Sequence, residues 1–203
     1  MSKKTRRSSL VPHSCRPDVN GAIHVVLRVR RGLPGMRTPR AWRVLERAFR
    51  KGKQRNGMKL LHYSVQEDHL HLVVEVYKRE HLSRGMQGLA IRLAKALNKH
   101  WHRKGTVFSD RYYGRQVKTH SELRRVVRYV LMNAKKHGTE LPGYEGLPDP
   151  FSSAPWFVFW CESAELRRPN RTPPVVLELF SKYEYCGYIS LKESPGDPEK
   201  GFF

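Results

Sequence analysis

Gln66-Glu67-Asp68-His69-Leu70-His71-Leu72-Val73-Val74-Glu75-Val76 is the stretch whose reading sets the fold. Residues two apart in a pleated strand share a face, so Leu70, Leu72, Val74 and Val76 form one wholly apolar face while His69, His71, Val73 and Glu75 line the other. The two histidines therefore leave the core. Paired imidazoles on the face away from the core point to a bound metal.

Working outward, Met58 to Val65 is a second strand, and the short loop Gln66-Glu67-Asp68 makes it the hairpin partner of the histidine strand. Ala22 to Arg30 is β-branched and bounded by Asn20-Gly21 and by Arg31-Gly32-Leu33-Pro34-Gly35, which marks an earlier, central strand. Between them, Thr38-Pro39 supplies an N-cap and a first-turn proline for a helix carrying Trp42, Leu45, Ala48 and Phe49 at helical spacing. Gly52 and Gly57 close it. On the far side, Leu82, Met86, Leu89, Leu93, Leu97 and Trp101 give a second helical stripe over about 82–101, with Gly85 and Gly88 weakening its start. Residues 105–118 read as an irregular strand, and Thr119 to His137 as a third helix with Leu123, Val126, Val127, Val130, Leu131 and Ala134 on its core side. The order predicts an α+β protein, a ferredoxin-like antiparallel sheet with helices on one face. The histidine face is expected to stand open, as the sheet surface that single-stranded nucleic acid occupies in this topology.

Composition agrees with a polyanionic partner. Lys and Arg number 39 against 18 Asp and Glu, a formal charge of +21 spread over most of the 203 residues. Charge alone also suits a ribosomal-type protein, and it does not choose between DNA and RNA. In the 105–118 segment aromatic and basic residues interleave, so bases can stack on Phe108 and Tyr112 while Arg111, Arg115 and Lys118 meet phosphates; the alternative is that the two aromatics are core residues. Tyr129 lies roughly 130° from the centre of its helix's apolar face, with Arg125 and Lys136 as near neighbours in projection and Asn133 one turn away. That displays a phenol among cations suited to holding a phosphodiester, or else a surface tyrosine lying along an arginine stem. Glu75 shares the histidine face, either as an outer participant or as a solvated acid, and His24 and His62 read as ordinary sheet histidines.

Residues 1–19 read as a flexible basic arm, 20–138 as the main domain, and 139–203 as a Pro/Gly-rich C-terminal extension with a short helix over about 175–185. The run Trp156-Phe157-Val158-Phe159-Trp160 is expected to dock the extension on the main domain. Cys15, Cys161 and Cys186 are far apart and in no C-x-x-C spacing, which signals neither a disulfide framework nor a zinc knuckle and fits a reducing compartment. No apolar run approaches the roughly 20 residues needed to span a bilayer, and the N-terminus lacks an apolar segment behind its charges. The expectation is a cytoplasmic protein.

With those residues in order, the chain resembles the HUH endonucleases, and within them the single-tyrosine transposases, above all the REP-associated tyrosine transposases of bacteria. His69-Leu70-His71, the segment Gly105 to Tyr112, and Tyr129-Val130-Leu131-Met132-Asn133 carry the likeness, which covers roughly residues 20–138. Ala134 stands where many members have proline and Asp68 where asparagine is common. The resemblance implies a transposase that is a metal-dependent single-stranded DNA endonuclease and strand transferase. His69, His71 and Asn133 would hold Mg or Mn, and Tyr129 would form a 5′-phosphotyrosine near hairpin-forming palindromic repeats. It implies a monomer or a homodimer. A non-catalytic single-strand-binding relative of the same fold is the alternative, and an RNA-processing nuclease a third class.

Overall fold

The structure is a computed structural model that describes residues 19–161, 173–175, 189–192 and 194–195; the basic arm and the helix expected over 175–185 lie almost wholly outside the described residues. Five strands and four α-helices follow in the order β1 (Gly21–Arg28), α1 (Pro39–Gly52), β2 (Gln54–Arg55), β3 (Met58–Val65), β4 (His69–Val76), α2 (Arg79–His100), β5 (Tyr113–Gln116), α3 (His120–Leu131) and α4 (Asn133–His137). A 3-10 turn at Ala154–Trp156 comes after them. The sheet order is β2-β3-β4-β1-β5, and each pairing is antiparallel. Without the two-residue β2, this is the β-α-β-β-α-β ferredoxin-like arrangement that the order of elements predicts.

The apolar face of β4 packs as its periodicity dictates. Leu70, Leu72, Val74 and Val76 join Ile23, Val25 and Leu27 of β1 beneath Leu45 and Phe49 of α1 and Met86, Leu89 and Leu93 of α2. Each such side chain withdrawn from water contributes about 1.5–3 kcal/mol, which makes this cluster the main source of stability. Thr38 caps α1 by accepting from the Ala41 amide at 3.2 Å, and Phe49 stacks on Tyr63 at 4.4 Å. Helix α2 begins at Arg79, earlier than its apolar stripe suggests. Gly85 does not weaken it there by accident: a Cβ at this position would stand 2.5 Å from the Cβ of Met58, so only glycine lets helix and strand approach this closely.

The opposite face departs from expectation. It does not stand open: Leu123, Val126, Val127 and Val130 of α3 cover Ala22, Leu61, Val73 and Val117, and Ala154, Phe157 and Trp160 join the same cluster. Val73, flanked by His71 and Glu75, is wholly buried there, and with Ala22 and Leu61 it supplies an apolar centre that demands a cover. Two further boundaries move. Only Tyr113–Gln116 of the 105–118 segment is strand, although Val107 and Phe108 are tied to the residues just past β1 through the Arg30 amide and a Val29–Phe108 bridge. The third helix breaks at Met132 (φ −105°), and Asn133 opens a new short helix that Gly138 closes in the left-handed region at φ 61°.

Residues 139–153 fold back along the free edge of β3. Arg37 holds them, donating to both carboxylate oxygens of Asp149 (3.0 and 2.9 Å), to the Val65 carbonyl (2.9 Å) and to the Thr139 carbonyl (3.0 Å). The Val65 amide donates to the Phe151 carbonyl and the Ser153 amide to the Tyr63 carbonyl, each at 2.9 Å, so this part of the edge is paired instead of exposed.

Candidate active site

Strand β4 aims His69 and His71 toward one point, their Nε2 atoms 3.1 Å apart. The far nitrogen of each ring has its own partner. Asp68 Oδ1 lies 2.7 Å from His69 Nδ1 and accepts a hydrogen bond from it, so that in the neutral ring the lone pair is on Nε2, facing the site. This hydrogen bond is also the largest cause holding the Asp68 carboxyl below its usual range. His71 Nδ1 lies 3.2 Å from Nε2 of His24 on β1. Burial first, and then the charges of neighbouring histidines and of Lys136, push His71 down to about 2, so its ring is neutral at physiological pH.

Tyr129 reaches this pair from the opposite side. Its hydroxyl stands 3.5 Å from His71 Nε2, beside it and beyond ordinary hydrogen-bond length, and its ring meets His71 and His24 edge-on at 5.1 and 5.9 Å. The expected exposure of this tyrosine is corrected, because it is 6% exposed and lies between α3 and the sheet. An apolar stripe locates a helix's buried face only when what lies beneath is apolar. Here histidines lie beneath part of α3, and the face that meets them carries a tyrosine. The cationic setting is present nonetheless, with Lys136 Nζ 4.6 Å from the ring centroid.

Asn133 is fully buried, and neither atom of its side-chain amide has a hydrogen-bond partner among the described residues. A sealed amide without a partner costs about 1–3 kcal/mol, and this one lies one helical turn beyond Tyr129 in sequence. No hydrogen bond joins it to either histidine. Among the described residues no three His, Cys, Asp or Glu side chains converge, so a cation here would rest on two imidazoles with an amide or with substrate oxygens. The donor set fits such an ion. Two ligands about 2.1 Å from one ion and at a right angle stand about 3.0 Å apart, close to the separation of the two Nε2 atoms.

The basic residues divide into two groups. Arg111, Lys118, Arg125 and Lys136 are exposed, whereas Arg115 is half-buried and bound to Glu122, which also accepts from the Lys118 amide at 2.7 Å. Phe108 is buried in the main core and Tyr112 packs against it, so both are core aromatics; Tyr113 is 63% exposed. Glu75 is also buried, 4% exposed and far from solvated, and burial raises it to about 7.

The chain matches the family model described as IS200-like transposase over residues 19–133, more than half its length. It belongs to the IS200-like transposase family. The matched span contains every element from β1 to α3 and both histidines, Tyr129 and Asn133. A solved REP-associated tyrosine transposase bound to a REP hairpin superimposes with a TM-score of 0.56 at 17% identity, over 89% of this chain and 96% of that one; at such identity it speaks for the fold. A structure from Deinococcus radiodurans R1, also assigned as a transposase, aligns with a TM-score of 0.42 and 13% identity over 68% of this chain and 98% of that one, a likeness too loose to argue from. No curated protein sequence matches.

Two histidines beside this candidate site escape a reading of the sequence. His24 sits in an apolar strand with no neighbouring signal, and only the pairing of β1 with β4 brings it to His71. His137 ends α4, and its ring lies 6.4 Å from that of His69; the break at Met132 decides where it points.

Proposed function

We propose that this IS200-like transposase is a metal-dependent single-stranded DNA endonuclease and strand transferase, with Tyr129 as its nucleophile. The observation that carries the reading is the approach of the Tyr129 hydroxyl to 3.5 Å from an imidazole nitrogen that itself faces a second one at 3.1 Å. Family membership supports it. His69 and His71, with Asn133, would hold Mg or Mn, whose charge favours attack on a phosphodiester by drawing electrons from its oxygens. The Tyr129 oxygen gives up its proton and bonds to phosphorus as the bond from phosphorus to the 3′ oxygen breaks; that oxygen leaves as a hydroxyl after taking a proton. The product is a 5′-phosphotyrosyl ester, which keeps the energy of the broken bond. Attack by another strand's 3′-hydroxyl reverses the step and joins the strands.

The substrate class is a strand bearing a hairpin-forming palindrome, an assignment supported by the hairpin in the REP-associated relative. Exposed Arg111, Lys118 and Arg125 are the phosphate contacts of this reading. The test is direct. Labelled single strands carrying such hairpins, with Mg or Mn present, should give an adduct that survives denaturation with the wild-type protein and none with Tyr129→Phe. His71→Ala should abolish the adduct while most DNA affinity survives, since phosphate contacts are many. Binding without any adduct across a panel of palindromes would leave the non-catalytic single-strand binder as the correct reading. Cleavage of an all-DNA strand excludes a requirement for a 2′-hydroxyl.

A further inference from the structure

We propose that Tyr113 is a positioning residue of the transposase site: an unpaired base of the DNA strand stacks on its exposed ring and holds the neighbouring phosphate at the histidine pair. The inference rests on the single-stranded-DNA reading of that site.

An exposed aromatic ring is ordinary by itself, and the register of the sheet is what singles this one out. Val26 of β1 pairs with His71 on one side and with Tyr113 on the other, so the three residues form one cross-strand row. Neighbouring strands lie about 4.8 Å apart, which sets the Tyr113 backbone roughly 10 Å from that of His71. The side chains of the row share a face. Tyr112 and Gly114 turn to the core, where a Cβ on Gly114 would stand 3.4 Å from the Tyr112 ring and 3.6 Å from Ile23. Tyr113 and Arg115 therefore project to the histidine side, and there Arg115 meets Glu122 of α3.

Tyr113 stays in water because the cover over this face stops short of it. Helix α3 starts at His120, just past the Gln116 end of β5, and crosses back over Ala22, Leu61 and Val73, so it shields the Ala22–His24 end of β1. Toward the other end Val26 is half-buried, Arg28 is exposed, the His69 side chain is 22% exposed, and Tyr113 at 63% is the most exposed large apolar side chain among the described residues. The result is an open corner with the histidines on one side, Val26 as its apolar floor and the Tyr113 ring at its rim. A nucleotide whose phosphate lies at the histidine pair spans this width between that phosphate and the far edge of its base. Strand β5 is the edge of the sheet, so a base laid on the ring meets no further strand, and both flat apolar surfaces leave water. The formal charge of +21 draws a polyanion to the corner. Stacking accepts any base, so Tyr113 places the strand and does not read it.

The test uses the full chain carrying Tyr129→Phe to stop cleavage, with Mg present and a DNA hairpin with unpaired arms as the probe. Affinity is measured for this parent and for the parent with Tyr113→Phe or Tyr113→Ala, on the intact probe and on probes with one abasic position moved along the arms. We expect Tyr113→Ala to bind about tenfold more weakly and Tyr113→Phe to bind like the parent, with the salt dependence of binding unchanged because no phosphate contact is lost. One abasic position should cost the parent a similar factor and cost Tyr113→Ala nothing. In the protein that keeps Tyr129, that position should adjoin the phosphate joined to the tyrosine. A Tyr113→Ala affinity within about twofold of the parent overturns the proposal. So does a loss that Tyr113→Phe shares, one that no abasic position reproduces, or a base remote from the joined phosphate. An adduct from the Tyr129 protein alongside any of these results sinks the stack and leaves the transposase chemistry standing. The expected base-dependent losses without an adduct from any palindrome do the reverse.

Discussion

Glu75 shows how far a strand's periodicity reaches at the scale of one residue. Alternation correctly sets it on the face of His71, but its state follows from what covers that face. It is 4% exposed, its Oε2 has no hydrogen-bond partner among the described residues, and burial raises it from 4.5 to about 7 against the opposing pull of Lys59. Between those two values the folded protein holds a proton that the unfolded chain has released, so Glu75 lowers stability as pH rises through this window, and the cost is full above about 7. Glu75→Gln should therefore be more stable than wild type by up to about 3 kcal/mol at pH 8, with the gain shrinking toward pH 5. Urea unfolding at the two pH values measures it. A gain that grows toward acid would show that the carboxylate, not the acid, is the stabilised form. Tyr129 teaches the same lesson: its place off the apolar stripe was legible, while its burial depended on the histidines beneath it.

Elements succeed or fail on close approach. Helix α2 was legible as an apolar stripe, yet the two glycines near its start read as weaknesses until the strand beside them is in view. Gly85→Ala is favourable for an isolated helix by about 1 kcal/mol. In this protein the added methyl meets the Met58 backbone-proximal Cβ at 2.5 Å, so we expect a net loss of about 1–3 kcal/mol, read as a lower denaturation midpoint. An unchanged or higher midpoint would mean that α2 and β3 separate without cost. The junction of β5 with α3 is another element-scale device. Thr119 accepts from the Glu122 amide at 3.2 Å, while the Glu122 carboxylate binds Arg115 and the Lys118 amide. The sequence marks Thr119 as the start of the helix, but neither the cap that Thr119 makes nor the arginine that the Glu122 carboxylate engages is legible there.

At the scale of the molecule, a buried ion pair helps to bind the segment after Gly138 into the fold. Arg37 and Asp149 are 112 positions apart and both nearly sealed from water, with the guanidinium also 4.8 Å from the Phe151 ring centroid. Removing one partner leaves the other charged and buried, so Asp149→Ala should cost about 3–5 kcal/mol in unfolding free energy. Replacing both by apolar residues of similar volume should recover much of that loss, a comparison that isolates the stranded charge. If Asp149→Ala proves neutral, the segment is held by its other contacts, the backbone hydrogen bonds of Phe151 and Ser153 to β3 and the packing of Phe151, Phe157 and Trp160. Among the described residues no helix is long and apolar enough to cross a membrane.

The sequence by itself determined the element order, the inward face of β4, the amphipathic helices and the identity of the His69, His71 and Tyr129 candidates. Those features follow from periods of 2 and 3.6 residues and from caps, all of which act over a few neighbouring positions. Only the tertiary structure decided that α3 covers the histidine face, that Tyr129 is buried against His71, that Arg115 is committed to Glu122, and that His24 meets His71. Each of these joins groups from separate elements, and which groups meet depends on sheet order and on which face a helix covers. No local pattern encodes that choice, because it is made by burying the apolar surface of the whole chain at once.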